Sequence, residues 1–145
     1  MKSRTKARSI ALQVLYEVDL TGHPAGWVLN ERLEPEDLEP SLQDFSRQII
    51  EGVLPIASKL DDFIAQHAPE WPMDQVAVID RNIIRIALWE FAVAGCSPVK
   101  VAINEAIELA KIYGSDSAPR FVNGVLGSLA ARQNEITQSI KNLPQ

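Results

Sequence analysis

Apolar residues recur at steps of three and four along almost the whole chain, and no useful stretch alternates with the two-residue period of a strand. That pattern points to one fold class, all-α. The first segment carries Ala7, Ile10, Ala11, Val14, Leu15 and Val18, and Gly22 and Pro24 stop it. A short helix is predicted over Trp27–Leu33. The stretch "EPEDLEPS" (34–41) reads as a polar loop, with Ser41 as N-cap and Asp44 as the acidic member of a capping box. Helical spacing then runs from about Leu42 to His67, through Phe45, Ile49, Ile50, Val53 and Leu54, and on through Leu60, Phe63 and Ile64. Pro55 breaks or kinks it, because proline lacks a backbone donor and clashes with the preceding turn.

"PEWP" (69–72) is the clearest internal boundary. It suggests an N-terminal sub-bundle over 1–68, a linker at 69–72 and a C-terminal sub-bundle over 73–145. Beyond it, Val76, Ile79, Ile83, Ile86, Ala87, Glu90 and Val93 follow the helical step, and Gly95 ends the segment. Ser97 and Pro98 look like N-cap and first residue of the next helix. That helix turns Val99, Ala102, Ile103, Ala106, Ile107 and Ala110 to one face and stops at Gly114. The last helix begins near Pro119 and carries Phe121, Val122, Val125, Leu126 and Leu129. Gly124 and Gly127 in its interior each cost about 1 kcal/mol against alanine, which suggests a closely approaching neighbour.

Composition narrows the function. The 145 residues include 46% hydrophobic ones, enough for a packed core without staples. Cys96 is the only cysteine, so no disulfide closes within the chain, and a reducing, cytoplasmic setting fits. No apolar run is long enough to span a bilayer. The basic start lacks the apolar core and cleavage site of a signal peptide.

No phosphate-cradling glycine loop is present, since "GVLPIASK" lacks the second glycine and the Lys-Ser/Thr ending. His23 and His67 are far apart, without metal-type partner spacing, so no metal or cofactor is expected. His23 fits a solvated turn. Cys96 fits a buried or half-buried structural thiol, and Asp61-Asp62 a solvated helix face. Nothing suggests an enzyme.

Charge is the better lead. The net charge is −5, yet Lys2, Arg4, Lys6 and Arg8 make up half of the first eight residues. Between Glu17 and Asp44 there are eight acidic residues and one basic one, Arg32. Such a chain needs a local basic patch to hold nucleic acid, because phosphate attraction fades within about 8–10 Å. Alternating basic residues suit an extended arm that orders on RNA, or a solvating terminus. A second cluster, "YGSDSAPRFVNG", sets Tyr113 before a helix stop and Arg120-Phe121 at the next helix start. An aromatic beside an arginine can stack on an unpaired base while the guanidinium holds phosphate. Phe121 also lies on the apolar stripe with Val125, which fits core packing as well.

Four stretches together resemble the NusB family of transcription antitermination factors: "KARSIALQVLYEVD", "IDRNIIRIALWEF", "PVKVAINEAIELAKIYGSD" and "RFVNGVLGSLA". The resemblance covers essentially the whole chain. It implies two small helical bundles packed together and no catalytic activity. It also implies pairing with the ribosomal small-subunit protein NusE, and joint binding of single-stranded boxA RNA within an RNA polymerase complex that supports ribosomal RNA synthesis. By position, it implies RNA contacts at Lys2, Arg4, Lys6, Arg8, Tyr113, Arg120 and Phe121. It implies a NusE-facing surface at Tyr16, Asp80, Asp116 and Ser117. The loop at Asp116 departs from the family's adjacent acidic pair, because Ser117, Ala118 and Pro119 follow the single acid.

Two other readings remain open from the sequence. One is a helical homodimer, for which Trp27, Val28 and Leu29 offer apolar surface if they are not core. The other is an accessory domain like that of some ribosomal RNA cytosine methyltransferases, although no cofactor-binding α/β segment accompanies it here.

Overall fold

The computed structural model describes residues 1–69 and 75–143. Among them the chain is all-α. The helices are α1 (Ser3–Thr21), α2 (Ala25–Leu33), α3 (Pro40–Val53), α4 (Ala57–His67), α5 (Val78–Leu88), α6 (Val99–Tyr113), α7 (Ala118–Ala130) and α8 (Gln133–Lys141). The chain divides into two compact units, Met1–Pro55 and Ile56–Gln145. This differs from the boundary expected at 69–72, most of which lies outside the described residues. The division follows Pro55. A 3₁₀ turn, Leu54–Ile56, interrupts the long helical pattern there, and α4 packs against α5 and α7.

In the first unit α1 packs against α2 and α3. Ala7, Ala11, Leu12, Val14 and Leu15 of α1 are buried with Ile49 and Val53 of α3. Small residues let the two backbones approach closely. Ser46 is fully buried, and its hydroxyl donates to the Ala7 carbonyl at 2.8 Å. Gly22, at φ +74°, caps α1 in the left-handed conformation that glycine adopts without strain.

The capping expected at Ser41 is corrected. α3 starts two residues earlier than expected, at Pro40, with Glu39 as N-cap and no side-chain cap, because proline's fixed φ already suits the first helical position.

In the second unit α5 is the central element, flanked by α4, α6 and α7. Residues 82–92 are all buried, so this segment is enclosed on every side rather than on one face. Its polar members are satisfied internally. Arg85 donates through Nε and Nη2 to the two carboxylate oxygens of Asp61, at 2.8 and 2.6 Å, and through Nη1 to Asn82 at 3.2 Å. Asp61 is therefore a structural partner of a buried arginine, not part of a solvated face.

After Leu88 the chain makes one π-helical turn, Trp89–Val93, and Gly95 at φ +63° closes it. Two carbonyls of this turn receive side-chain donors from α8: Gln133 to Phe91 at 3.2 Å and Thr137 to Ala92 at 3.1 Å. Ser97 is not the N-cap of α6. Its hydroxyl donates instead to the buried Glu90 carboxylate at 2.8 Å, and Pro98 takes the cap position.

Cys96 is exposed in the loop between the π turn and α6, contrary to the buried or half-buried thiol expected. Val28 and Leu29 are core, whereas Trp27 is exposed.

Candidate RNA and partner interfaces

In the first unit, Arg4, Lys6 and Arg8 lie within the opening turns of α1, and Lys2 is its N-cap. The extended arm expected from alternation is corrected for these residues. The helical apolar pattern of α1 reaches back to Thr5 and Ala7, both buried, and draws the basic positions into the helix. The three side chains then meet different fates. Arg4 is exposed, and its guanidinium lies over the Phe45 ring, 3.9 Å from the centroid. Lys6 Nζ pairs with Glu36 Oε2 at 2.6 Å. Arg8 is only 2% exposed, with its guanidinium 5.1 Å from the same Phe45 centroid, so it does not present a free surface group as expected.

Toward the other end of the same helix, Tyr16 is 38% exposed and Leu20 is exposed beyond it. Spaced by four, they share one helix face. Beside them runs a polar cluster. Glu17 accepts from Arg32 at 3.1 Å and lies 3.0 Å from His23 Nδ1, and the His23 ring meets Trp27 edge-on at 5.7 Å. The His23 hydrogen bond, with Arg32 adding to it, holds the Glu17 carboxyl below the usual carboxylate range.

In the second unit, three of the expected partner and RNA residues come together. Asp80, Ser117 and Phe121 line one cavity of about 290 Å³, with Gln75, Val76, Ala77 and Ala118. Asp80 sits in the first turn of α5 and is 8% exposed. Its Oδ1 has no hydrogen-bond partner among the described residues. Desolvation pushes its carboxyl above the usual carboxylate range. Phe121 is half-buried, so its ring serves both the core stripe and the cavity wall.

Gly114 stands beside this site and caps α6 as expected, its N–H donating to the Ala110 carbonyl at 2.9 Å. Its φ is −92° and ψ 178°, extended backbone that any residue adopts. Space is what demands glycine. A Cβ there would collide with the Ala118 Cβ, and would stand 2.9 Å from the Ala110 carbonyl and 3.1 Å from Asp80 Oδ1. Asp116, Ser117 and Arg120 are exposed, and Tyr113 is half-buried at the end of α6. Phe45 and Glu36 escaped the sequence reading. An aromatic four positions into a predicted helix reads as core, and a loop glutamate among many reads as solvated.

The NusB family model matches residues 5–131. The chain belongs to the NusB family. The transcription antitermination protein NusB of Roseiflexus castenholzii is 46% identical over 134 residues, covering 91% of this chain and 94% of that protein. The Bacillus subtilis protein of the same name is 41% identical over 139 residues, covering 96% and 100%. Among solved structures, T. maritima NusB superposes with a TM-score of 0.77 at 29% identity, over 93% of this chain and 90% of that one. A NusB solved with NusE and double-stranded RNA shares the fold, with a TM-score of 0.78 at 24% identity over 96% of this chain and 98% of that one. Membership places the chain among antitermination proteins rather than enzymes. Among the described residues no helix is long and apolar enough to cross a membrane.

Proposed function

We propose that this NusB-family chain is a cytoplasmic, RNA-binding antitermination factor. It pairs with the ribosomal protein NusE, and the pair binds boxA RNA within an RNA polymerase complex that transcribes ribosomal RNA. The observation that carries this reading is α1, which offers an exposed arginine in its first turn and an exposed Tyr16–Leu20 face toward its other end. One helix thus serves a phosphate near its start and a protein partner toward its other end.

The acidic surface from Glu17 to Asp44 complements a basic ribosomal protein and repels non-specific RNA. Affinity is divided between two weak contacts that become strong when made jointly. Asp80, Ser117 and Asp116 supply a second acidic partner contact on the other unit, and Arg120, Tyr113 and Phe121 a second RNA contact. The solved NusB with NusE and RNA supports both partner classes.

The test is binding of fluorescent boxA-type RNA across a salt series, with and without NusE. Tighter binding in the presence of NusE, together with loss of affinity in Arg4→Ala, supports the reading. Unchanged RNA affinity on adding NusE overturns it. Exposed Trp27 favours a second reading, a homodimer of the free protein, which sedimentation over a concentration range separates from the monomer.

A further inference from the structure

Two guanidinium groups share one aromatic ring in the first unit. The Arg4 guanidinium lies 3.9 Å and that of Arg8 5.1 Å from the Phe45 centroid. The ring is buried on α3. Its neighbour Ser46 bonds to the Ala7 carbonyl of α1 at 2.8 Å, which ties the ring's backbone to the helical turn bearing both arginines. The ring therefore has a fixed place relative to Arg4 and Arg8.

A cation over a ring face is held by the ring's quadrupole. A guanidinium bound through its flat face keeps its in-plane N–H donors free for other acceptors, and these match phosphate oxygens in pairs. An unstacked arginine in the first turn of a helix would have to give up rotamer freedom on binding; one already stacked gives up less. Arg8, buried behind, adds a fixed positive charge close to the same ring.

We propose that Phe45 is a positioning residue for RNA, its ring holding Arg4 as a pre-oriented phosphate contact backed by the charge of Arg8. This rests on the RNA-binding reading above. Phe45 acts through Arg4 and touches no RNA itself.

The test is a double-mutant cycle on boxA-type RNA with NusE present, using wild type, Phe45→Leu, Arg4→Ala and the double variant, with Phe45→Tyr as the conservative control. Phe45→Leu keeps an apolar side chain in the core and removes the ring. It is expected to weaken RNA binding about two- to tenfold, the size of one cation–π contact. Phe45→Tyr retains binding, and Phe45→Leu adds no loss in the Arg4→Ala background. A loss of the same factor in both backgrounds, or none in either, overturns the proposal.

A second measurement needs no variant to fold. In the free protein, the Arg4 Nε–Hε resonance should carry a ring-current shift, and a random-coil position there also overturns the proposal. If wild type binds no RNA, or Arg4→Ala binds as well as wild type, the RNA reading and this inference fall together. If Arg4→Ala weakens binding while Phe45→Leu does not, only the inference falls.

Discussion

Lys6 Nζ and Glu36 Oε2 stand 2.6 Å apart, so the α2–α3 loop places a carboxylate on one of the few cations of the basic segment. Both side chains are partly exposed, and a phosphate approaching Lys6 must compete with Glu36. The pair itself is worth little to stability, as is usual for exposed ion pairs. Its effect is on binding.

Glu36→Gln should therefore raise RNA affinity about two- to fivefold at low salt, in line with one surface ion pair. It should also steepen the slope of log affinity against log salt by about 0.7, the increment of one further phosphate contact on a single strand. Fluorescence anisotropy across a salt series measures both. An unchanged slope would mean that Lys6 makes no phosphate contact even when released.

Asp80 offers a pH signature. Its carboxyl is pushed up by burial, so in the carboxylate range this group holds its proton more in the folded state than in the unfolded chain. Stability is then lost as pH rises from the ordinary aspartate range through the higher folded value, and the penalty stays in full above it. Asp80→Asn has no such term. The unfolding free energy of Asp80→Asn minus that of wild type should climb with pH through the carboxylate range and flatten beyond it, as read by urea titrations at a series of pH values. The same variant should bind the basic partner more weakly, because it removes the charge that a cationic group would neutralise. A difference independent of pH would show that Asp80 titrates normally.

Much of this fold is legible from spacing alone. Gly22 and Gly95 end their helices as read, and Pro55 breaks the long pattern where it stands. What escaped has physical causes. α8 is polar around most of its surface, with Ile136 its one buried residue, and no periodic stripe announces it. The bidentate Arg85–Asp61 pair joins residues 24 apart in sequence, and neither neighbourhood hints at the other. The basic segment shows the same limit in the site. Alternation in sequence suggested an extended arm, but burial of Thr5 and Ala7 makes it helix, which sends Arg4, Lys6 and Arg8 to a ring, a carboxylate and the interior.

Two glycines of the second unit carry opposite expectations. Gly127 lies in the helical interior of α7, and a Cβ there would meet nothing within 4 Å, contrary to the close neighbour inferred from sequence. Gly127→Ala should stabilise the protein by about 0.5–1 kcal/mol, through helix propensity and a less disordered unfolded chain. Gly114→Ala forces a methyl group against Ala118, the Ala110 carbonyl and Asp80 Oδ1 at once. Overpacking of that kind costs about 1–3 kcal/mol. Because α7 begins at Ala118, the displacement falls on Ser117 and Phe121, which line the Asp80 cavity. Partner and RNA affinity should drop with stability. Adding Ala118→Gly removes the worst collision, so the Gly114→Ala/Ala118→Gly pair should regain part of both. Thermal denaturation and binding on the three variants decide it. Equal melting temperatures for wild type and Gly114→Ala would mean that α6 and α7 have room to separate at no cost, and that Gly114 does not set the shape of the cavity.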